Sequence, residues 1–161
     1  MEWREQVKTA LIVYESKYGN TKRLASAIAE GIRKAGDIEC KVVAVGEVQP
    51  DELPKYDMIL FGCPNHMQGP SRGLTGFIDR AAIVNLSGKT GAAFDTYMGG
   101  NRGIAVTKLE QKIRQKLPGM RLVIPGLSAE VRSRTGPLVE EEIPRANQFG
   151  KTIGEALLKQ P

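Results

Sequence analysis

A chain of 161 residues with 41% apolar and 25% charged content can bury about 70% of its unfolded surface in one core, which excludes disorder and any need for covalent staples. Its net charge of +5 is spread without the long like-charge runs of a nucleic-acid-binding arm, leaving an ordinary solvated surface. Cys40 and Cys63, the two cysteines, form no Cys-x-x-Cys pair, so neither a zinc site nor a disulfide framework is encoded and a reduced, cytoplasmic setting is expected.

The N-terminal stretch Met1-Glu2-Trp3-Arg4-Glu5-Gln6 is mixed in charge, and the first apolar run, Ala10 to Tyr14, is too short for a signal peptide or a membrane span. Val7 to Tyr14, rich in β-branched residues, predicts a first strand buried on both faces. From Thr21 the apolar positions Leu24, Ile28, Ile32 and Ala35 recur every three to four residues and Gly36 follows, which predicts a helix and its stop. A second strand is expected over Glu39 to Val45 and a third over Met58 to Gly62. Leu74, Phe77, Ile78 and Ala81 form a second helical stripe, and Gly91 to Phe94 a fourth strand. Ile104, Leu109, Ile113 and Leu117 mark a third helix, and Arg121 to Ile124 a fifth strand. Ile143, Ala146, Phe149, Ile153 and Leu157 mark the last helix, whose opening glutamates, Glu140 to Glu142, favour the positive end of its dipole. The stretch from Pro125 to Pro137 is the least regular.

Strands alternating with helices require right-handed crossovers that place helices on both faces of a parallel sheet, so the fold class is α/β and doubly wound. No linker or repeat divides the chain, and residues 1–161 are expected to form a single domain. Ligands of such sheets bind beyond the carboxyl ends of the strands, where the strand order reverses. The segments after strands one, three and four therefore decide function.

After strand one, Ser16-Lys17-Tyr18-Gly19-Asn20-Thr21 supplies hydroxyls, an amide, a cation and a permissive glycine, and runs directly into a helix. A helix N-terminus offers unpaired N–H groups and a positive dipole, so this loop suits a phosphate. It equally suits a β-α turn capped by Asn20 or Thr21. The segment resembles the phosphate loop of the flavodoxin family, Thr/Ser-x-Thr/Ser-Gly-x-Thr, departing at Tyr18. The Tyr-Gly-Asn-Thr variant is similar to the flavodoxin domains of flavodiiron proteins and to flavodoxin-like quinone reductases.

The resemblance extends over nearly the whole chain and implies a flavodoxin-like sheet of five parallel strands in the order 2-1-3-4-5, with FMN bound non-covalently. By resemblance, Pro64-Asn65-His66-Met67-Gln68-Gly69 is a first flavin loop, its backbone along the ring edge and His66 and Met67 packed beside the ring. Asp95-Thr96-Tyr97, with Gly99, matches a second flavin loop, in which Tyr97 would stack on a flavin face with its phenol in water. His66, the one histidine, is expected beside the ring rather than as a catalyst, and no metal site is expected.

Gly88-Lys89-Thr90 and Gly150-Lys151-Thr152 imitate the end of a Walker loop, but Ile83 and Arg145 stand where its first glycine is required. A flavodoxin would pass electrons between a reductase and an acceptor protein, whereas a quinone or FMN reductase on the same fold would take hydride from NAD(P)H. The absence of an insertion after the second flavin loop favours the carrier. A flavin-free binding module is the third reading. Lys17, Arg72 and Arg102 are expected near the cofactor, favouring its fully reduced anionic form. Partners are expected to be acidic redox proteins, with no nucleic acid or membrane, and the chain to be a monomer or weak dimer.

Overall fold

The structure, a computed structural model, describes residues 6–161; the mixed-charge start of the chain, residues 1–5, lies outside them. Its elements follow the expected alternation: β1 (Lys8–Tyr14), α1 (Asn20–Lys34), β2 (Ile38–Ala44), β3 (Met58–His66), β4 (Gly69–Pro70), α2 (Arg72–Ala81), β5 (Thr90–Tyr97), α3 (Ile104–Lys116), β6 (Arg121–Leu122), β7 (Leu127–Glu130) and α4 (Glu142–Leu158).

The sheet runs β2-β1-β3-β5, with β6 and then β7 pairing in parallel along the far side of β5. This is the flavodoxin-like order, but it contains seven strands where five were expected. The predicted fifth strand, Arg121 to Ile124, is split because Pro125 in the intervening stretch has no N–H to give the ladder. β4 is an added two-residue strand, antiparallel to the end of β3. β3 and β5 also run further than predicted, to His66 and Tyr97.

Alternation along β1 divides the interior into two layers. Ala10, Ile12 and Tyr14 pack with α1 and α4, while Leu11 and Val13 pack on the side of α2 and α3. This two-sided burial explains why β1 reads as a continuous apolar run. The helical stripes meet the sheet where the periodicity places them: Leu24, Ile28 and Ile32 on one face, and Leu74, Phe77 and Ile78 on the other, are fully buried. Burying each of these side chains contributes about 1.5–3 kcal/mol. Among the described residues no helix is long and apolar enough to cross a membrane.

Candidate functional site

The carboxyl ends of β1, β3 and β5 open into a pocket of about 840 Å³, within the range of small-molecule and cofactor sites. Gly19 sits just before α1 at φ 90°, a left-handed turn that favours glycine. Its N–H donates to Ser16 Oγ (3.1 Å). Among the described residues no side chain caps α1, so its first amides remain available and the capped turn with Asn20 or Thr21 is not what folds. Ser16, Lys17, Tyr18, Asn20 and Thr21 all line the pocket. Tyr18 stands half-exposed, with Lys17 Nζ 5.5 Å from its ring centre. The Thr21 side chain is already committed: its hydroxyl shares a 2.9 Å hydrogen bond with Thr96 Oγ1 in the pocket floor.

The second wall is the tight hairpin joining β3 to β4, from which Pro64, Asn65, His66, Met67 and Gln68 line the pocket. Met67 is fully exposed at its tip. Among the described residues Asn65 Oδ1 is buried without a hydrogen-bond partner, and an unpaired buried polar atom is costly enough to call for an explanation. Behind this wall, Glu15 Oε1 accepts hydrogen bonds from Ser71 Oγ and from the N–H of Leu74 (2.9 Å), so the protein's own carboxylate satisfies the start of α2. The start of α2 thus already has an anionic partner from within the protein, which the start of α1 does not have.

β5 supplies the third wall and two corrections. Successive side chains on a strand face opposite ways. Thr96 turns to α1, while Asp95 turns to α3 and lies outside the pocket, fully buried. There Asp95 accepts from Ser128 Oγ (2.6 Å) and the N–H of Val106 (2.8 Å). Burial pushes its carboxyl up to about 6, against the opposing pull of these two hydrogen bonds. Tyr97 lines the pocket but is buried, and β5 continues through it to pair with Glu130. Burial raises its pKa, with Glu130 adding to the effect. The exposed apolar group here is the next residue, Met98.

Gly19 and Gly99 shape turns and Gly69 begins β4, all without lining the cavity, and Arg102 also lies outside its lining. Arg72 lines it, as does Arg134, which the sequence reading missed together with Glu15, Ser71, Met98 and Val131. Val131 and Arg134 come from the irregular stretch before Pro137. They have no local signal, since only the tertiary fold lays Gly136 against the Asn20 side chain. Among the described residues no cluster of His, Cys, Asp and Glu is placed to hold a metal ion. The open α1 amides, the unpaired Asn65 acceptor and the cationic Lys17, Arg72 and Arg134 together fit an organic phosphate that also carries hydrogen-bond donors.

The Flavodoxin family model matches residues 12–138. A flavodoxin of Clostridium saccharobutylicum is 39% identical over 85 residues, covering 53% of each chain. The type A flavoprotein fprA of Rhodobacter capsulatus is 32% identical over 93% of this chain but only 33% of its own length. An NAD(P)H dehydrogenase (quinone) of Archaeoglobus fulgidus is 27% identical, over 92% of this chain and 97% of that one. The chain thus spans about half the length of the first relative and a third of the second. A solved flavodoxin from the domain Archaea superposes with a TM-score of 0.80 at 27% identity, covering 93% of this chain and 99% of that one. With the match running from β1 through every wall of the pocket to Leu138, the chain belongs to the flavodoxin family.

Proposed function

We propose that this chain, acting as a single domain, holds FMN non-covalently in the pocket and carries electrons between a reductase and an acceptor protein. The observation that carries this reading is the uncapped N-terminus of α1 opening into the cavity. The FMN phosphate would lie against the amides of Asn20 and Thr21 with Ser16 and Lys17 beside it, favoured by the helix dipole. Pro64 to Gln68 and Thr96 to Met98 would flank the rest of the cofactor, with Asn65 Oδ1 as an acceptor. Bound FMN supplies reversible one- and two-electron chemistry, and the protein contributes orientation, access and electrostatics.

Three of the exposed large apolar residues, Tyr18, Met67 and Met98, border the pocket, and Lys17, Arg72 and Arg134 surround them with positive charge. An apolar patch with a cationic surround suits an acidic redox protein, whose association weakens as salt rises. Cys40 and Cys63 are free thiols, consistent with a reducing cytoplasm.

The test is the visible spectrum of the purified protein, before and after addition of FMN. A flavin spectrum with quenched fluorescence supports the reading, and no uptake of FMN refutes it. The similarity to an NAD(P)H dehydrogenase (quinone) supports hydride chemistry as the second reading. Rapid NAD(P)H oxidation with a benzoquinone as acceptor would select that enzyme over the carrier.

A further inference from the structure

The hairpin tip that walls the pocket is built against the preference of its residues. Met67 at φ 48° and Gln68 at φ 64° are consecutive left-handed residues, and both carry side chains in a region that glycine enters freely. Such strain persists only where the surroundings impose it. One imposing contact comes from outside the pocket: Lys108, in the second turn of α3, donates from Nζ to the carbonyl oxygen of Gln68 at 2.6 Å. Its stem passes beside Gly69, with Cδ 3.8 Å from the position a side-chain carbon there would take.

Lys108 is exposed and forms no ion pair among the described residues. Its ammonium is therefore committed to this carbonyl rather than to a neighbouring carboxylate. The helix that presents it is anchored just upstream, where the N–H of Val106 donates to buried Asp95. A firm support thus carries one long arm to the exposed tip of the site. The Gln68 carbonyl, drawn toward Lys108, is oriented by a cation that lines no part of the cavity.

We propose that Lys108 is a positioning residue of the flavin site: by tethering Gln68 it holds the Met67–Gln68 turn in its left-handed form, and through that turn it sets flavin affinity and potential. This rests on the FMN reading above. Losing the tether lets the turn relax toward conformations its side chains prefer, and the hairpin wall then fits the cofactor less well.

The test is a mutant cycle on the FMN-loaded protein, read by FMN dissociation constant and one-electron potentials, with apoprotein melting temperature as a control for folding. Lys108→Met keeps the stem and removes the donor; it should weaken FMN binding about 10-fold, the size of one charge-assisted hydrogen bond, with melting nearly unchanged because the site is exposed. Lys108→Arg should restore most of the affinity. In a Gln68→Gly background, where the left-handed turn carries no strain, Lys108→Met should cost less than half as much on the logarithmic scale. Wild-type affinity and potentials in Lys108→Met would overturn the proposal, as would an equal loss in both backgrounds. Wild-type protein that takes up no FMN would instead refute the flavin reading itself.

Discussion

Thr21 and Thr96 stand 75 positions apart in the chain and share a buried 2.9 Å hydrogen bond. This bond stitches the loop after β1 to the end of β5, so two walls of the pocket move as one. Thr96→Val leaves the Thr21 hydroxyl without its partner and should cost about 1–3 kcal/mol of stability. Replacing both by Val removes both polar atoms and should cost less than the two single changes together. Urea unfolding of the three variants measures this, and additive losses would show that the bond contributes nothing specific.

Gly136 has φ 102°, and a side-chain carbon there would lie 2.5 Å from Asn20 Oδ1. Gly136→Ala therefore combines backbone strain with displacement of a pocket residue. The expected stability loss is about 1–3 kcal/mol, with FMN binding weakened as Asn20 shifts. Calorimetry and fluorescence titration read the two effects separately; a loss of stability at full affinity would place Asn20 outside the binding surface.

Asp95 makes a prediction with a definite sign. Its folded pKa of about 6 lies above the ordinary carboxyl value of 3.8, so the folded state binds the proton more tightly than the unfolded chain. The resulting stability is fully present below about pH 4 and is lost as pH rises through 6, a change of about 3 kcal/mol. Asp79 acts in the opposite sense, because its hydrogen bond and ion pair with Lys112 lower its pKa. The difference between wild type and Asp95→Asn, measured by urea unfolding from pH 4 to 7, isolates the buried group. Parallel pH profiles for the two proteins would show that Asp95 titrates normally.

Charge near the cofactor gives a further comparison. Arg134 lines the pocket, whereas Arg102 does not. Arg134→Glu should lower the second reduction potential by about 30–60 mV by disfavouring the anionic reduced flavin, and Arg102→Glu should lower it less. Redox titration of both variants decides, and equal shifts would indicate that net charge rather than position sets the potential.

The architecture was legible in the sequence because β1 announces its two-sided burial as an unbroken apolar run, and because α1, α2 and α4 carry their stripes at helical spacing. The loop from Ser16 to Thr21 was also legible, since its composition is local. What escaped was set by distance and direction. Arg134 reaches the pocket only because Gly136 packs on Asn20. Asp95 and Thr96 are neighbours in sequence, yet strand alternation sends them to opposite faces, and only the hydrogen bonds to Val106 and Thr21 reveal which goes where. The left-handed turn at Met67 and Gln68 was hidden because neither residue advertises that conformation.

The divided strand formed by β6 and β7 also bears on how this protein behaves when concentrated. A long exposed edge would offer a row of unpaired amides on which a second chain could build. Here the ladder stops after two residues, passes Pro125, and resumes for only four. At the opposite margin β2 carries Glu39 and Lys41 in solvent, where paired copies would bring like charges together or force them out of water. Both rims of the sheet thus discourage edge-to-edge aggregation, one by interruption and the other by charge.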